Sequence, residues 1–412
     1  MKALVLAGGY PQIALVQELK SRGITVLLAD YFAEPVAKPY VDEFYQISTL
    51  DVPAITELAK KERVDFLITA CTDQALLTVA KVSEELGLPC YVDYQTALNV
   101  TNKAYMKKVF EENHISTAKH AVMAQLDPKL ADSLRYPAIV KPVDCNSSKG
   151  VKKVLNCQEL EEAFAEAVRL SRTGTALVEE FIQGEEITID VQVENGKAHV
   201  LSMAYSDKIA DKDKFVIFRT RYPIAESDGV KEQIRNTAQQ IADAFGLYNS
   251  MMLIQVICDG KDIFVLEFSA RTGGCVKYDL IRRVSGFDVI KAVVDLTLGK
   301  IPAVKICPPE NKYITNLFIY CNNGVFDHLE GFDELKAEGI ITNYFVLKWK
   351  GAVIDGVSNS GDRIAGLTVQ GDTLEQIRAN YEQALDRIRV VDPDGNDLIR
   401  RELLTPLHYA EV

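Results

Sequence analysis

Short apolar runs alternate with helical patterns along the first hundred residues. The apolar runs lie at residues 3–7, 24–29 and 66–69. The helical patterns, with apolar positions three and four residues apart, lie at 13–20, 55–61 and 75–86. Nearly continuous apolar runs are typical of strands that are buried on both faces. The order therefore predicts a right-handed, doubly wound parallel unit.

From about residue 101 the pattern mixes helices with alternating strands. Helical spacing predicts helices at 102–112, 159–170, 231–245, 280–298 and 374–389. Apolar or alternating positions predict strands at 139–141, 151–155, 176–181, 187–193, 198–205, 313–320 and 344–347. A hairpin is expected from Met252 onwards, around the turn Asp259–Asp262. A chain of 412 residues is long for one core, and two or three domains are expected.

Composition and charge narrow the possible classes. The formal net charge is −12 and the chain has no dense basic patch, which argues against a nucleic-acid partner. The eight cysteines are scattered without a CxxC pair, which argues against a structural zinc site. The apolar run at the N-terminus is too short for a signal segment or a membrane span. We therefore expect a soluble cytoplasmic protein that does not bind a membrane.

The hairpin carries the most specific polar residues. Gln255 and Glu267 lie on its two strands, on either side of the turn, so their side-chain oxygens are expected on one face. Arg271 follows four residues after Glu267. Two hard oxygen donors beside a guanidinium suit a magnesium ion that carries phosphates. Taken alone, a hairpin with an outward Glu and Gln is more often a solvent-exposed face than a metal site.

A loop of small residues follows the strand that ends at Lys141. Successive backbone N–H groups in such a loop can bind phosphate, and Ser147, Ser148 and Lys149 add hydroxyl donors and charge. A flexible polar loop is the alternative interpretation. Further on, residues 178–186 form an apolar strand that ends in carboxylates and turns at Gly184, which is suited to a hinge whose backbone contacts an adenine edge.

The N-terminal unit allows a different nucleotide hypothesis. Gly8 and Gly9 end the first strand before a helix, and Asp30 ends the second strand, where it could bind a ribose. The pattern G-x-G-x-x-G is absent, however, so dinucleotide binding is only weakly indicated. An Asp at a strand end also serves as a local cap.

The order of these features is more specific than any one of them. A lysine on a helix, Lys103, precedes a lysine at a strand end, an acidic hinge, and the Gln–Glu hairpin with its arginine. This order resembles the ATP-grasp superfamily, in the branch of carbamoyl-phosphate synthase, biotin carboxylase and the L-amino acid ligases. The tail at 360–363, Ser-Gly-Asp-Arg, is similar to the C-terminal lobe of amino-acid ligases.

The resemblance implies an α/β and α+β architecture. A Rossmann-like, doubly wound parallel-sheet domain at 1–97 would precede the ATP-grasp domain at 98–310, with the lid subdomain at about 115–180. A C-terminal α+β lobe would occupy 311–412. The resemblance also implies ATP as a substrate and two Mg²⁺ or Mn²⁺ ions.

Site roles are implied residue by residue. The phosphate-binding group would comprise Lys103, Lys141 and the lid loop 144–150 with Ser147, Ser148 and Lys149. The adenine hinge would comprise the backbones of Glu179 and Phe181, lined by Glu180 and Ile182, and the ribose acid would be Glu186. The metal ligands would be Gln255 and Glu267, with Ser269 in the place of the family's usual Asn. The catalytic residues would be Arg271, at the acyl phosphate, and Lys208. A hydroxyl replaces an amide poorly, so water could fill the place of Ser269.

The resemblance implies an ATP-dependent carboxylate–amine ligase. A carboxylate of an amino acid or related small metabolite would be phosphorylated and then attacked by an amine. Two alternatives remain open: an enzyme that phosphorylates bicarbonate, and a nucleotide-binding accessory protein without turnover. The expected partners are small-molecule substrates and, as in similar proteins, a second copy of the chain in a homodimer.

Overall fold

The computed structural model describes residues 1–127, 129, 134–145, 148–211 and 214–409. The strands are β1 (Lys2–Leu6), β2 (Thr25–Asp30), β3 (Glu43–Gln46), β4 (Phe66–Ile68), β5 (His120–Met123), β6 (Ala138–Pro142), β7 (Lys152–Val154), β8 (Ala176–Glu180), β9 (Glu185–Glu194), β10 (Lys197–Lys208), β11 (Ile217–Tyr222), β12 (Ser250–Cys258), β13 (Ile263–Ser269), β14 (Tyr313–Ile319), β15 (Gly324–Val325), β16 (His328–Glu330), β17 (Asn343–Val346), β18 (Val353–Ile354), β19 (Ala365–Gly371) and β20 (Arg389–Val391). The α-helices are α1 (Tyr10–Ser21), α2 (Val52–Glu62), α3 (Asp73–Leu86), α4 (Tyr94–Asn99), α5 (Lys103–Glu112), α6 (Cys157–Leu170), α7 (Asp228–Ala244), α8 (Lys277–Ser285), α9 (Val289–Thr297), α10 (Phe332–Ala337) and α11 (Leu374–Arg387). Short 3₁₀ turns occupy Lys38–Tyr40, Ser360–Asp362 and Arg401–Leu403.

The N-terminal unit contains the predicted parallel sheet. Its strand order is β3-β2-β1-β4, with every pairing parallel. Both faces are buried: Val5 and Val26 pack with α9, whereas Leu4 and Leu27 pack with α2 and α3. Burial on both sides is the reason that these strands are nearly continuous apolar runs. The predicted doubly wound unit is confirmed.

Residues of the chain itself close the glycine turn after β1. The Asp30 carboxylate accepts hydrogen bonds from the backbone N–H groups of Gly8, at 2.5 Å, and Phe32, at 2.7 Å. A Cβ on Gly8 would lie 2.5 Å from a side-chain carbon of Pro35. Asp30 therefore acts as a local cap, which removes the main support for a ribose-binding role.

Two large antiparallel sheets form most of the remaining core, and β15-β18 and β16-β20 are two-stranded sheets. The lid sheet has the order β5-β8-β6-β7, and α6 covers its apolar face. An eight-stranded sheet has the order β13-β12-β9-β10-β11-β14-β19-β17. This sheet is continuous across residue 310, because β11 pairs directly with β14. The domain boundaries at residues 97 and 310 remain predictions.

One predicted helix is wrong as a single element. The helix expected over 280–298 consists of α8 and α9, separated at Gly286, whose φ of +72° is left-handed. Asp288 then caps α9 by accepting from the N–H groups of Ile290 and Lys291. A left-handed glycine ends a helix and an Asx cap starts the next one, whereas apolar spacing alone continues through both.

Candidate active site

A cavity of about 550 Å³ lies between the lid sheet and the eight-stranded sheet. The N-terminal unit contributes Tyr10 and residues 71–74 to its wall, and the C-terminal lobe contributes Phe318, Leu347 and Arg363. This volume is in the usual range for sites that bind a small molecule or cofactor.

Most of the predicted site residues meet in this cavity. The wall includes Lys103, Lys141, Ser148, Glu179, Glu180, Phe181, Ile182, Glu186, Lys208, Gln255, Glu267 and Arg271. Lys149 and Ser269 are not part of the wall, and Ser147 lies outside the described residues. The proposed roles of these residues remain predictions, but the structure brings together side chains that lie up to 168 positions apart in the sequence.

The hairpin places the two expected oxygen donors opposite each other. Gln255 and Glu267 are cross-strand partners on β12 and β13. A count from the turn alone would place Leu266 opposite Gln255, because Val256 pairs with Val265. A β-bulge between Gln255 and Val256 shifts the register by one residue and brings Glu267 into place.

Glu267 forms an ion pair with the first predicted lysine. The Lys103 ammonium lies 2.8 Å from the Glu267 carboxylate and donates to the Cys145 carbonyl oxygen at 2.8 Å. Lys103 starts α5, which Asn102 caps by accepting from two backbone N–H groups. Burial alone would lower the pKa of Lys103, but the attraction of Glu267 outweighs it and the pKa is raised. Lys103 is therefore held in its charged form.

The second predicted lysine belongs to a buried triad. The Glu179 carboxylate lies 2.5 Å from the Lys141 ammonium and 3.0 Å from that of Lys107. Burial would raise the pKa of Glu179, but the two ammonium groups hold it at about 2. Lys107, one helical turn after Lys103, is fully buried and also contacts the Thr117 hydroxyl. The triad fixes Lys141 at the cavity wall.

A third polar cluster lies on the face of the central strands. Glu186 on β9 accepts from the Lys208 ammonium at 2.5 Å and from the Gln255 amide at 2.8 Å. The Gln255 amide nitrogen is used in this contact, which leaves its carbonyl oxygen as an acceptor. Glu186 thus orients both a predicted metal ligand and a predicted catalytic lysine.

The predicted catalytic arginine is paired with the N-terminal unit. Arg271 forms a bidentate ion pair with Asp73, at the start of α3, in which the Nε donor lies 2.8 Å from the carboxylate. The Ser269 hydroxyl also contacts Asp73 and, with Arg271, lowers the pKa of that carboxyl. Asp73 and Arg271 are 198 positions apart in the chain. The pair connects the N-terminal unit to the end of the hairpin.

The acidic hinge uses its backbone differently from the prediction. The Phe181 N–H donates to the Pro137 carbonyl at 3.1 Å and the Glu180 N–H donates to that of Lys119 at 3.0 Å. Within the described ranges, the Ile182 N–H has no acceptor. The Phe181 ring is covered by the Lys153 ammonium, 3.8 Å from the ring centroid. The donor available to an adenine edge is thus at Ile182, whereas the N–H of Phe181 is already used.

The polar residues of the site that were not predicted include Lys107, Asp73 and Arg363. Lys107 could have been found, because it follows Lys103 by one helical turn on the same helix. Asp73 carries no local signal that separates it from surface residues, and Arg363 ends the Ser-Gly-Asp-Arg tail, to which the resemblance gave no role in the site. Only the folded chain places them beside Arg271 and Cys275, respectively.

Comparisons with known proteins agree with this geometry. The family model described as "D-ala D-ala ligase C-terminus" matches residues 98–270, and that described as "L-amino acid ligase C-terminal domain 2" matches residues 317–392. Over both of these segments the chain is similar to ATP-grasp carboxylate–amine ligases. The predicted superfamily and its class of ATP-dependent ligases are thereby confirmed.

Individual relatives cover almost the whole chain. A formate-dependent phosphoribosylglycinamide formyltransferase from Actinobacillus pleuropneumoniae is 24% identical over 398 residues, which cover 94% of this chain and 96% of the relative. The structure of an L-amino acid ligase from Bacillus licheniformis superposes with a TM-score of 0.76 at 21% identity, covering 95% of this chain and 98% of that one. The biotin carboxylase domain of a Hydrogenobacter thermophilus 2-oxoglutarate carboxylase, bound to MgADP and bicarbonate, superposes with a TM-score of 0.78 at 19% identity, covering 94% and 90%. These likenesses confirm the fold.

A helix can cross a membrane only if it is long and apolar over most of its length. In the described ranges, no helix combines the length and the apolar character that crossing a bilayer requires.

Proposed function

We propose that this protein is an ATP-dependent ligase that joins the carboxylate of an amino acid, or of a related small metabolite, to an amine. The observation that carries the proposal is the cross-strand pair Gln255–Glu267, in one cavity with Lys103, Lys141 and Arg271. This set combines oxygen donors for a metal–phosphate group with three cations. The similarity to the two ligase family models supports the same conclusion.

The donor set suits a metal that arrives with phosphates. Within the described residues, no three His, Cys, Asp or Glu side chains come together as a ready-made metal site. Glu267 and the Gln255 carbonyl oxygen supply two hard ligands, which is typical of Mg²⁺ bound mainly by phosphate oxygens and water. Bound there, the ion would neutralise phosphate charge. Mn²⁺ accepts the same ligands.

The remaining residues have roles that follow from their positions. Lys103 and Lys141 would bind phosphate oxygens, and Glu186 would accept from the ribose hydroxyls. The adenine edge would receive its hydrogen bond from the Ile182 N–H, beside Phe181 and Glu180. Ser148 and Lys149 belong to the loop that would close over the phosphates.

The proposed reaction has two steps. A carboxylate oxygen attacks the γ-phosphorus of ATP, the bond from that phosphorus to the β,γ-bridging oxygen breaks, and ADP leaves. The amine nitrogen then attacks the acyl carbon, the C–N bond forms, the carbon–oxygen bond to phosphate breaks, and the amine releases a proton. Arg271, held by Asp73, and Lys208 would stabilise the negative charge of the acyl phosphate. A closed site would exclude water, which would otherwise hydrolyse this intermediate.

A phosphate-release assay tests the proposal. ATP and Mg²⁺ would be supplied with each single amino acid, with amino-acid pairs, and separately with bicarbonate and formate. Stimulation by an amino acid or a pair supports the proposal and identifies the substrate class. Stimulation by bicarbonate alone would indicate an enzyme that phosphorylates bicarbonate. ATP binding without any stimulated phosphate release would indicate an accessory protein. A Glu267→Ala variant is the control for contaminating ATPase.

A further inference from the structure

Positive charges in the cavity are almost all paired with carboxylates. Lys103, Lys141 and Lys208 pair with Glu267, Glu179 and Glu186. Arg271 pairs with Asp73, and Lys277 lies 3.8 Å from Asp190. Arg363 is the exception among the described cations of the wall, since it forms no ion pair there. The remaining carboxylate of the wall, Glu180, belongs to the hinge.

Neutral groups hold the Arg363 guanidinium in place. Its Nε donates to the Tyr320 hydroxyl at 3.1 Å, and its Nη2 donates to the Ile217 carbonyl at 2.9 Å. The Tyr320 hydroxyl in turn donates to the same carbonyl at 2.9 Å. The guanidinium lies 4.0 Å from the Phe318 ring centroid. Two of its five N–H groups have oxygen acceptors, and the Cys275 side chain, a weak acceptor, also contacts the guanidinium, which leaves at least two N–H groups able to donate.

The surroundings make this charge costly without a partner. Phe318 and Leu347 form apolar wall on the same side of the cavity, and burial there weakens hydration of the guanidinium. Cations in such places are normally paired, and a rigid guanidinium fork matches a planar carboxylate. The single positive charge of Arg363 balances the single negative charge of a carboxylate. A phosphate monoester carries nearly two negative charges at neutral pH, so its charge would not be balanced.

We propose that Arg363 binds the free carboxylate of the amine-donating substrate, so that the second substrate is itself an amino acid or a peptide. The inference rests on the proposed function, in which the other carboxylate is consumed by phosphorylation. It identifies the C-terminal lobe as the part that selects the acceptor. A carboxylate at Arg363 implies an amino-acid acceptor, whereas a phosphate group there would imply an acceptor that carries a phosphate ester.

Hydroxylamine provides an acceptor that lacks a carboxylate. Wild type, Arg363→Met and Arg363→Lys would be assayed with each of the twenty amino acids as donor. The acceptor would be hydroxylamine, an amino acid, or the corresponding amino-acid amide. Arg235→Met, which removes an exposed arginine outside the cavity, is the matched control. Thermal unfolding of each variant would be recorded at the same time.

The expected result is selective. Arg363→Met should raise the KM for the amino-acid acceptor roughly 10- to 100-fold, the usual effect of losing a hydrogen bond to a charged group, and leave hydroxamate formation unchanged. Arg363→Lys should recover part of this loss, and wild type should discriminate against the amide. An equal loss of hydroxamate and peptide formation, or equal use of amide and acid by wild type, would overturn the assignment.

Failure of the proposed function can be recognised separately. If wild type forms no hydroxamate with any amino acid, the amino-acid form of that function is refuted, and binding is then measured by calorimetry with acetate and with ribose 5-phosphate. Binding of ribose 5-phosphate that Arg363→Met abolishes would assign a phosphate to the site and overturn the carboxylate. Binding of neither anion would overturn the subsite as a whole. Binding of acetate alone, lost in Arg363→Met, would uphold it.

Discussion

Glu179 offers the most quantitative test of the site's electrostatics. Its carboxylate is buried between the Lys107 and Lys141 ammonium groups, and replacing it by glutamine leaves both charges without a carboxylate. Removing one partner of such a buried group costs about 3 to 5 kcal/mol. The pKa of about 2, against an ordinary value of 4.5, indicates a contribution of similar size to the free energy of unfolding, about 3 kcal/mol at neutral pH.

The pH dependence has a defined sign. Because the pKa of Glu179 is lowered in the folded state, its stabilisation is fully present above pH 4.5 and is lost as the pH falls towards 2. From these two pKa values, the contribution falls to roughly three quarters of its neutral value at pH 4 and to less than about half of it at pH 3. The difference in stability between wild type and Glu179→Gln should therefore shrink on acidification.

Urea unfolding at pH 7 and pH 4 measures this difference. Glu166→Gln is the control, because Glu166 forms an exposed ion pair with Lys152 at 3.0 Å that should contribute less than about 1 kcal/mol. A Glu179→Gln variant within about 1 kcal/mol of wild type at pH 7 would refute the buried triad. A difference that stays constant between the two pH values would refute the lowered pKa.

Three further substitutions address the nucleotide site and the turn that follows it. Glu267→Ala should abolish ATP-dependent phosphate release while the chain still melts cooperatively, and full activity would refute the metal assignment. Lys141→Ala should weaken ATP binding, measured by calorimetry, by about tenfold or more because a phosphate loses a charged donor; unchanged affinity would remove Lys141 from the site. Gly273→Ala should lower the melting temperature, because its Cβ would lie 2.8 Å from Asp190 Oδ1, whereas Gly274→Ala meets only a backbone oxygen at 4.0 Å and should melt like wild type. Equal melting of the two glycine variants would show that the turn can rearrange.

Local pattern was sufficient for most of the fold. Buried parallel strands such as β1 and β2 are continuous apolar runs because both of their faces are covered. The boundary between α8 and α9 was missed because apolar spacing continues across it, while a left-handed Gly286 and the Asp288 cap end one helix and start another. Caps and glycines thus carried information that periodicity did not.

The site was predictable in its order but not in its pairings. The succession of Lys103, Lys141, the hinge and the hairpin is visible along the chain. The bulge that brings Glu267 opposite Gln255 is not, because a one-residue insertion in a strand leaves no pattern of its own. The pairing of Arg271 with Asp73 depends on how the N-terminal unit packs against the core, which local sequence does not encode.

The same pairings constrain how the nucleotide can enter. Glu267 holds Lys103, and Glu186 holds Lys208, so a phosphate chain that reached these lysines without a metal would be set beside two carboxylates. Like charges at that separation oppose binding. If a divalent ion came with the phosphates, Glu267 would pair with the ion and Lys103 with a phosphate. Two ion pairs would then replace the one between Glu267 and Lys103, and no buried charge would be left without a partner. If the cavity binds ATP as proposed, free ATP should therefore bind it more weakly than MgATP does.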